Sequence, residues 1–535
     1  MRSTPPPAGQ PHNLGSPPGL VNRGPAKPTT PVRLSDLARL PGISASHLAR
    51  PEHEVRGISA DSRRAAPGTA FFALRGAQAD GHRFLADAAR DGAPALVFTD
   101  PAAFAAWRAA PPEGLQPKGL LLAREGRRTL AELAAAVYGD PSRRMTLLAV
   151  TGTNGKTTVT HLVAQMLAAL GRPCALVGSV GLFRDPAAQV EGAGLTTPEA
   201  PELQAFLAGC LAQGVQAAAM EASSVGIEAH RTHALAFAGA AFTNLSQDHL
   251  DVHPDMDAYR EAKFRLFTEH EAARAVINLD DPAGRLLLER IGAARPELPC
   301  RTFALGQGPS SGADLTAQDA RWDAAGVAAD WVCRGRAYPI RAPLLGAYNL
   351  SNLLCALGLL LAADVAPEDA AAVAPHAQGA PGRLERIPVP RGFTVVVDYA
   401  HSPGALEAVL GAVRPLTRGR LWIVFGCGGG RDRAKRPLMA AAAERLADRV
   451  VLTNDNPRHE APGAILDETV QGLRDPKAAA RIEPREEAIR HALDAARPGD
   501  LVLIAGKGHE TYQDIGGVKH PFSDQAVVRA WAEGK

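Results

Sequence analysis

Apolar runs of strand length alternate along the chain with segments whose apolar residues recur at helical spacing, and polar residues crowd where the runs end. Leu147 to Val150 is one such run. Beyond it Val159, Leu162, Val163, Met166, Leu167 and Leu170 recur at helical offsets, and Gly171 stops the pattern. Farther on, Ala217 to Met220 delivers Glu221, Ala240 to Thr243 delivers Asn244 and then Asp248 to Asp251, and Ala275 to Asn278 delivers Asp280 and Asp281. The same device returns four times near the carboxyl end. Phe393 to Val397 precedes Asp398-Tyr-Ala-His401, Leu421 to Phe425 precedes Gly426 to Asp432, Val450 to Thr453 precedes Asp455-Asn-Pro-Arg458, and Leu501 to Ala505 precedes Gly506-Lys-Gly-His-Glu510. This alternation predicts an α/β protein of parallel strands with helical crossovers, whose ligands lie beyond the strand carboxyl ends.

The stretch Thr151-Gly-Thr-Asn-Gly-Lys-Thr-Thr158 joins a strand to a helix amino terminus. Backbone N–H groups and the positive helix end attract an anion there, and glycines let the backbone approach it. Lys156 is placed to reach the β- and γ-phosphates and Thr157 to ligate Mg²⁺, so ATP is the expected co-substrate. The general phosphate-loop pattern would have glycine where this chain has Val150.

Composition adds scale. A chain of 535 residues predicts about three domains. Residues 1–31, crowded with Pro, Gly and polar side chains, are expected to be a disordered extension, since such a composition buries too little surface to offset ordering entropy. Domains are then expected at 32–142 (a small α/β unit), 143–378 and 379–535. Hydrophobic residues make up 46% and charged residues 21%, and a formal charge of +2 supplies no field for nucleic acid. The cysteines at 174, 210, 300, 333, 355 and 427 lack metal-ligand spacing and read as free thiols of a reducing cytoplasm. The apolar run Leu353 to Ala363 is too short to cross a bilayer, and no membrane insertion is expected.

The form TGTNGKTT resembles the Mur ligase and folylpolyglutamate synthetase superfamily, ATP-dependent enzymes that join an amino acid to a carboxylate. Further motifs, in order across about 32–535, resemble the diaminopimelate-adding members of the Mur ligase family. The resemblance implies three domains: a uridine-nucleotide-binding front domain, a central P-loop ATPase domain and a Rossmann-like carboxyl-terminal domain. It implies that Gly152, Thr153, Asn154, Gly155, Lys156, Thr157 and Thr158 hold the ATP phosphates. Asn278 with Asp280 would border the adenine, and Arg383, Asp398 and His401 would reach the nucleotide from the third domain.

Glu221 alone reads as a surface or capping carboxylate. In Met220-Glu-Ala-Ser-Ser224 the resemblance makes it, with His249 and Thr157, a Mg²⁺ ligand. Lys263 reads either as a salt-bridged helix lysine or, by the resemblance, as a carbamylated lysine that adds an anionic oxygen donor. Lys156, Glu221, His249 and Lys263 form the implied catalytic set. Ser62, Ala77, Gln78, Ala79, Thr196, Thr197, Ser223 and Arg231 are implied contacts of UDP-MurNAc-L-Ala-D-Glu, although Ser62 and Ala77 to Ala79 read equally as turn residues. Asp455, Asn456, Pro457, Arg458, Arg431, Gly506 and Glu510 are the implied contacts of meso-diaminopimelate. Arg458 offers a planar fork for a carboxylate and Glu510 a partner for an ammonium. Val225 and Ala229 depart from the family pattern, where histidine and glutamine are expected. His249 and His253 have a spacing that mimics a helical zinc pair, but no HExxH accompanies them. Gly426 to Gly430 lacks the last glycine of a dinucleotide loop, because Arg431 stands there.

A cytoplasmic, monomeric enzyme of peptidoglycan precursor synthesis is expected. Three rivals remain: a lysine-adding sister ligase, a folylpolyglutamate synthetase without a uridine-binding front domain, and a scaffold that binds ATP without making a bond.

Overall fold

Leu147 and Ala149 pack on one side of their strand and Leu148 and Val150 on the other, as the two-residue period of an extended chain requires. Both sides are apolar because both are covered, the usual condition of a parallel strand inside a sheet. The computed structural model describes residues 31–76, 79–185, 188–190, 194–248, 252–305, 312–323 and 325–534. Ala77, Gln78, His249 and residues 1–30 lie outside these.

Three mixed α/β sheets follow one another along the chain. The first has the order β1 (Ile43–Leu48), β5 (Gly119–Ala123), β4 (Ala95–Phe98), β3 (Thr69–Phe72), β2 (Gly57–Ser59), all parallel except β1. Helix α1 (Gly126–Val137) packs on it through Leu130, Leu133, Ala134 and Val137.

The central sheet is built on β6 (Thr146–Thr151), followed by the loop and α2 (Lys156–Ala169). Around β6 stand β7 (Cys174–Gly178), β8 (Ala217–Glu221), β9 (Gly239–Phe242), β10 (Ala275–Asn278) and β11 (Cys300–Ala304), in the parallel order β7-β8-β6-β9-β10-β11. Helix α3 (Ser224–Glu228) follows β8 and α4 (Met256–Thr268) follows β9. The far edge is an antiparallel meander of β12 (Leu315–Asp323), β13 (Gly326–Cys333) and β14 (Arg336–Ala342). Helix α5 (Ala347–Ala362) carries all but the last residue of the apolar run noted above and is buried along almost its whole length in the core on one face. No helix among the described residues is long and apolar enough to cross a membrane.

The third sheet runs β15 (Glu385–Ile387), β16 (Thr394–Asp398), β20 (Leu501–Ala505), β17 (Leu421–Cys427), β18 (Arg449–Asn454), β19 (Ala480–Arg481), with only β15 antiparallel. Since β16, β17, β18 and β20 are parallel, their four polar loops emerge at one edge. A buried ion pair ties two of them. Arg485, which begins α6 (Arg485–Ala495), meets Asp524, which begins α7 (Asp524–Ala532), by two bonds of 2.7 Å, and both side chains are fully buried. The same guanidinium donates to Asn454 O at 3.1 Å and Ala505 O at 2.9 Å, the last carbonyls of β18 and β20.

Removing one partner of a buried pair strands the other charge. Asp524→Ala is therefore expected to cost about 3–5 kcal/mol of unfolding free energy in urea denaturation, and a loss below about 1 kcal/mol would contradict this account.

Candidate functional site

The loop after β6 folds back against the end of β9. Thr153 N–H donates to Asn244 O at 2.8 Å, Asn154 N–H to Asn244 Oδ1 at 2.9 Å, and Thr243 Oγ1 to Asn154 O at 2.6 Å. Gly152 has φ +144° and Gly155 φ +89°. A Cβ on Gly152 would stand 1.9 Å from Thr243 Oγ1, so only glycine admits this approach. Lys156 Nζ donates to the carbonyls of Gly152 and Thr153, both at 2.8 Å. Loss of hydration pulls its ammonium below the ordinary value; Glu221 and Asp248 oppose the fall, and Arg383, in the turn before the third sheet, adds to it. Asn278 ties β10 to β9, its Nδ2 donating to Thr243 O at 2.7 Å, while its Oδ1 accepts from Asp280 N–H at 3.0 Å.

Glu221 ends β8 and is 1% exposed. Its Oε1 accepts from Ser179 N–H at 2.9 Å and Ser179 Oγ at 3.0 Å, and Ser179 Oγ lies 3.0 Å from Thr157 Oγ1. Oε2 has no hydrogen-bond partner among the described residues. Carboxylate and hydroxyl oxygens are donors that suit a hard divalent cation, so Thr157 and Glu221 fit magnesium. Thr197 joins the same cluster: its Oγ1 donates to Glu221 O at 2.9 Å and accepts from Ser223 N–H at 3.0 Å. Arg231 donates to Thr197 O at 3.2 Å and to Glu199 at 2.9 Å. Thr196 is half-buried beside Thr197.

Glu199 also binds Arg127 of α1 at 2.9 Å, and Arg64 reaches Glu202 at 2.7 Å, so the first sheet's unit is moored beside this cluster. Ser62 begins the short 3-10 turn that carries Arg64, and Ala79 O accepts from Gly76 N–H at 2.9 Å.

Lys263 lies on α4, 1% exposed, with Nζ donating to Gly152 O at 2.9 Å and standing 4.2 Å from the centre of the Tyr259 ring. Burial drives its pKa well below that of an ordinary lysine, Lys156 pushes the same way and Asp248 resists. The buried ring of His253 meets Ser224 Oγ at 3.0 Å and Glu228 at 3.3 Å.

In the third sheet's unit, Asp398 closes β16 and accepts from Leu384 N–H at 2.7 Å and Ala400 N–H at 2.8 Å. Burial raises its pKa against those bonds. Arg383 lies 4.7 Å over the Tyr399 ring. His401 Nδ1 lies 2.8 Å from Tyr399 O, and His509 stacks on Tyr399 at 5.1 Å. Burial, then Arg383, lowers His509 to about 4. Gln165 of α2 donates to Gly379 O at 2.9 Å and accepts from Gln378 N–H at 2.9 Å, which ties α2 to the segment leading into the third sheet's unit.

Beside them, Asn456 Nδ2 donates to Glu510 Oε2 at 2.8 Å. Fully buried Lys507 donates to the same oxygen at 2.9 Å and to Asn456 Oδ1 at 3.0 Å. Burial raises the Glu510 pKa, but Lys507 and Asn456 prevail and hold it below the usual carboxylate value. Arg458 adopts φ +52° and donates to Gly429 O at 2.6 Å, and its Nη1 lies 3.2 Å from where a Cβ on Gly428 would stand. Exposed Arg431 borders the same glycine. Asp455 is 8% exposed, its Oδ2 has no hydrogen-bond partner among the described residues, and a Cβ on Gly506 would stand 2.6 Å from that oxygen. Pro457 is followed by the bond from Arg458 N–H to Asp514 O at 2.8 Å, which anchors the loop to a neighbouring hairpin.

Ser179, Lys507 and Tyr399 carry little signal in the amino-acid order: Ser179 merely follows a strand end, and Lys507 and Tyr399 lie inside motifs whose other members bear the more evident chemistry.

Family models match in three segments: "Mur ligase family, catalytic domain" over 54–138, "Mur ligase middle domain" over 150–360 and "Mur ligase, glutamate ligase domain" over 382–508. A UDP-N-acetylmuramoyl-L-alanyl-D-glutamate–2,6-diaminopimelate ligase of Pseudomonas putida is 42% identical, the match covering 89% of this chain and 95% of that protein. The protein of the same name from Synechococcus elongatus is 41% identical over 92% and 98%. A solved structure of a ligase of that name superposes with TM-score 0.70 at 34% identity, covering 94% of this chain and 99% of the other. Mycobacterium tuberculosis folylpolyglutamate synthase, 20% identical with TM-score 0.55 over 71% of this chain and 92% of that one, shares the fold. With matching models in all three segments and such identity over nearly nine-tenths of its length, the chain belongs to the Mur ligase family.

Proposed function

We propose that this ligase joins meso-2,6-diaminopimelate to the D-glutamate γ-carboxylate of UDP-MurNAc-L-Ala-D-Glu at the expense of ATP, in the cytoplasmic synthesis of peptidoglycan precursors. Relatives bearing that activity in their names, alike over nearly their whole lengths, support the substrate assignment. The observation that carries the chemistry is the phosphate loop itself, with Lys156 folded onto its carbonyls and Thr157 joined through Ser179 to the buried carboxylate of Glu221.

The γ-carboxylate oxygen attacks the γ-phosphorus of ATP, ADP leaves, and an acyl phosphate results. The diaminopimelate amine then attacks the acyl carbon, the amide forms, phosphate leaves and the amine gives up its proton. The phosphate loop, Gly152 to Thr158, holds the triphosphate, and Lys156 offsets repulsion between the two anions and the charge on the transferring phosphoryl group. Magnesium, held by Thr157 and Glu221, would supply further charge neutralisation. Arg383, Asp398 and His401 close on the nucleotide, and Thr197, Ser223 and Arg231 orient the muramyl peptide. Glu510, held ionised by Lys507, takes the ammonium of the incoming amino acid, while Arg431 and Arg458 take its carboxylates.

Lys263 is proposed to carry a carbamate. Its neutral amine, favoured by burial and by Lys156, attacks carbon dioxide and releases one proton; the resulting anion faces Lys156 with the opposite sign.

Phosphate release with ATP and the UDP-muramyl dipeptide should be strongly stimulated by diaminopimelate and weakly by lysine. Equal stimulation would defeat the amino-acid assignment, and none with either would favour the scaffold. Arg458→Ala should raise the KM for diaminopimelate about 10- to 100-fold, the scale of a lost charged hydrogen bond, and erase the preference over lysine. An unchanged preference would remove Arg458 from specificity. For Lys263, ¹³C-labelled bicarbonate should give a carbamate carbon resonance in the native chain that is absent from Lys263→Ala, whose turnover should be largely lost. A missing resonance with full activity in the variant would refute the modification.

A further inference from the structure

Thr157 and Glu221 come from different segments, the first turn of a helix and the end of a strand, and one side chain joins them. Ser179, just past β7, stands 3.0 Å from Thr157 Oγ1 and 3.0 Å from Glu221 Oε1, and its N–H reaches that same Oε1 at 2.9 Å. The approach depends on Gly178, where a Cβ would lie 2.2 Å from Oε1. The protons between these three residues can be counted. An ionised carboxylate only accepts, so the single hydroxyl proton of Ser179 goes to Glu221. Ser179 Oγ then offers lone pairs alone, and the proton between it and Thr157 Oγ1 is the threonine's. Thr157 is left with lone pairs for any further partner, and Glu221 with Oε2.

We propose that Ser179 is a positioning residue for the nucleotide-bound magnesium, setting the hydroxyl direction of Thr157 and the carboxylate direction of Glu221 together. The inference rests on Thr157 and Glu221 being the metal donors. Hydrogen-bond partners of metal ligands typically govern affinity by 10- to 100-fold, because they remove ligand orientations that cannot coordinate. Ser179 is exposed, so replacing it disturbs no core.

The test is the affinity of the full-length chain for Mn²⁺ in the presence of ADP, read by electron paramagnetic resonance of the free ion, with metal-free ADP binding and melting temperature measured alongside. Ser179→Val and Ser179→Thr are matched in shape and differ by the hydroxyl. Valine should weaken Mn²⁺ binding about tenfold or more, threonine should stay near the parent, and ADP binding without metal should not move in either. Glu221→Gln is the control and should lose the ion. Parent-like Mn²⁺ binding in Ser179→Val, beside loss in Glu221→Gln, would overturn the role of Ser179 alone. Parent-like binding in both would remove the donor assignment and this inference with it. Equal losses of metal-free ADP binding and of Mn²⁺ binding in Ser179→Val would make the serine a structural residue only and equally overturn the proposal.

Discussion

Lys156 and Lys263 donate to one carbonyl, that of Gly152, at 2.8 and 2.9 Å, and the cost of holding two ammonium groups there, away from water, is the constraint that Lys263 relieves by giving up its proton. Two unit charges about 4–6 Å apart repel by roughly 3–4 kcal/mol at the effective dielectric near a protein surface. Burial of Lys263 is the larger cost, the charge of Lys156 adds to it, and the amine releases its proton more readily. Glu221 and Asp248 offset part of the remaining positive charge. An anionic phosphate brought to this loop would remove the rest, which makes the loop a site whose electrostatics are completed by its ligand.

The backbone must come close for this to work. Gly152, Gly155 and Gly178 each sit where a Cβ would meet a polar atom of another segment: Thr243 Oγ1, Asn352 Oδ1 and Glu221 Oε1 at 1.9, 2.5 and 2.2 Å. These contacts gather β6, β7, β8, β9 and α5 at a single edge of the sheet. Parallel strand direction makes that edge common to all of them, and the third sheet repeats the plan.

In the third unit, rigidity comes from buried charge. Lys507 has no exposure and donates to Asn456 and Glu510, while Arg485, held by its pair with Asp524, donates to the last carbonyls of two strands. A carboxylate held this way stays ionised and keeps its direction, which is what recognition of an ammonium needs.

Much of this was written in the amino-acid order. The alternation of strand runs with helical periods foretold parallel sheets, and the polar loops after Val150, Met220, Val397, Thr453 and Ala505 marked where chemistry belongs, because strand period and turn chemistry are local properties. TGTNGKTT and DNPR, with their neighbouring motifs, named the family for the same reason. Ser179 was not legible: a lone serine after a strand acquires meaning only when β7 lies beside β8 and delivers it to Glu221. Nor was the Arg485–Asp524 pair, whose members are 39 residues apart, or the depth of burial of Lys263, which with the charge of Lys156 from another segment depresses that lysine. Sequence fixes what each segment can do; proximity and burial, which decide proton positions and charge, arise from long-range strand register and exist only in the folded chain.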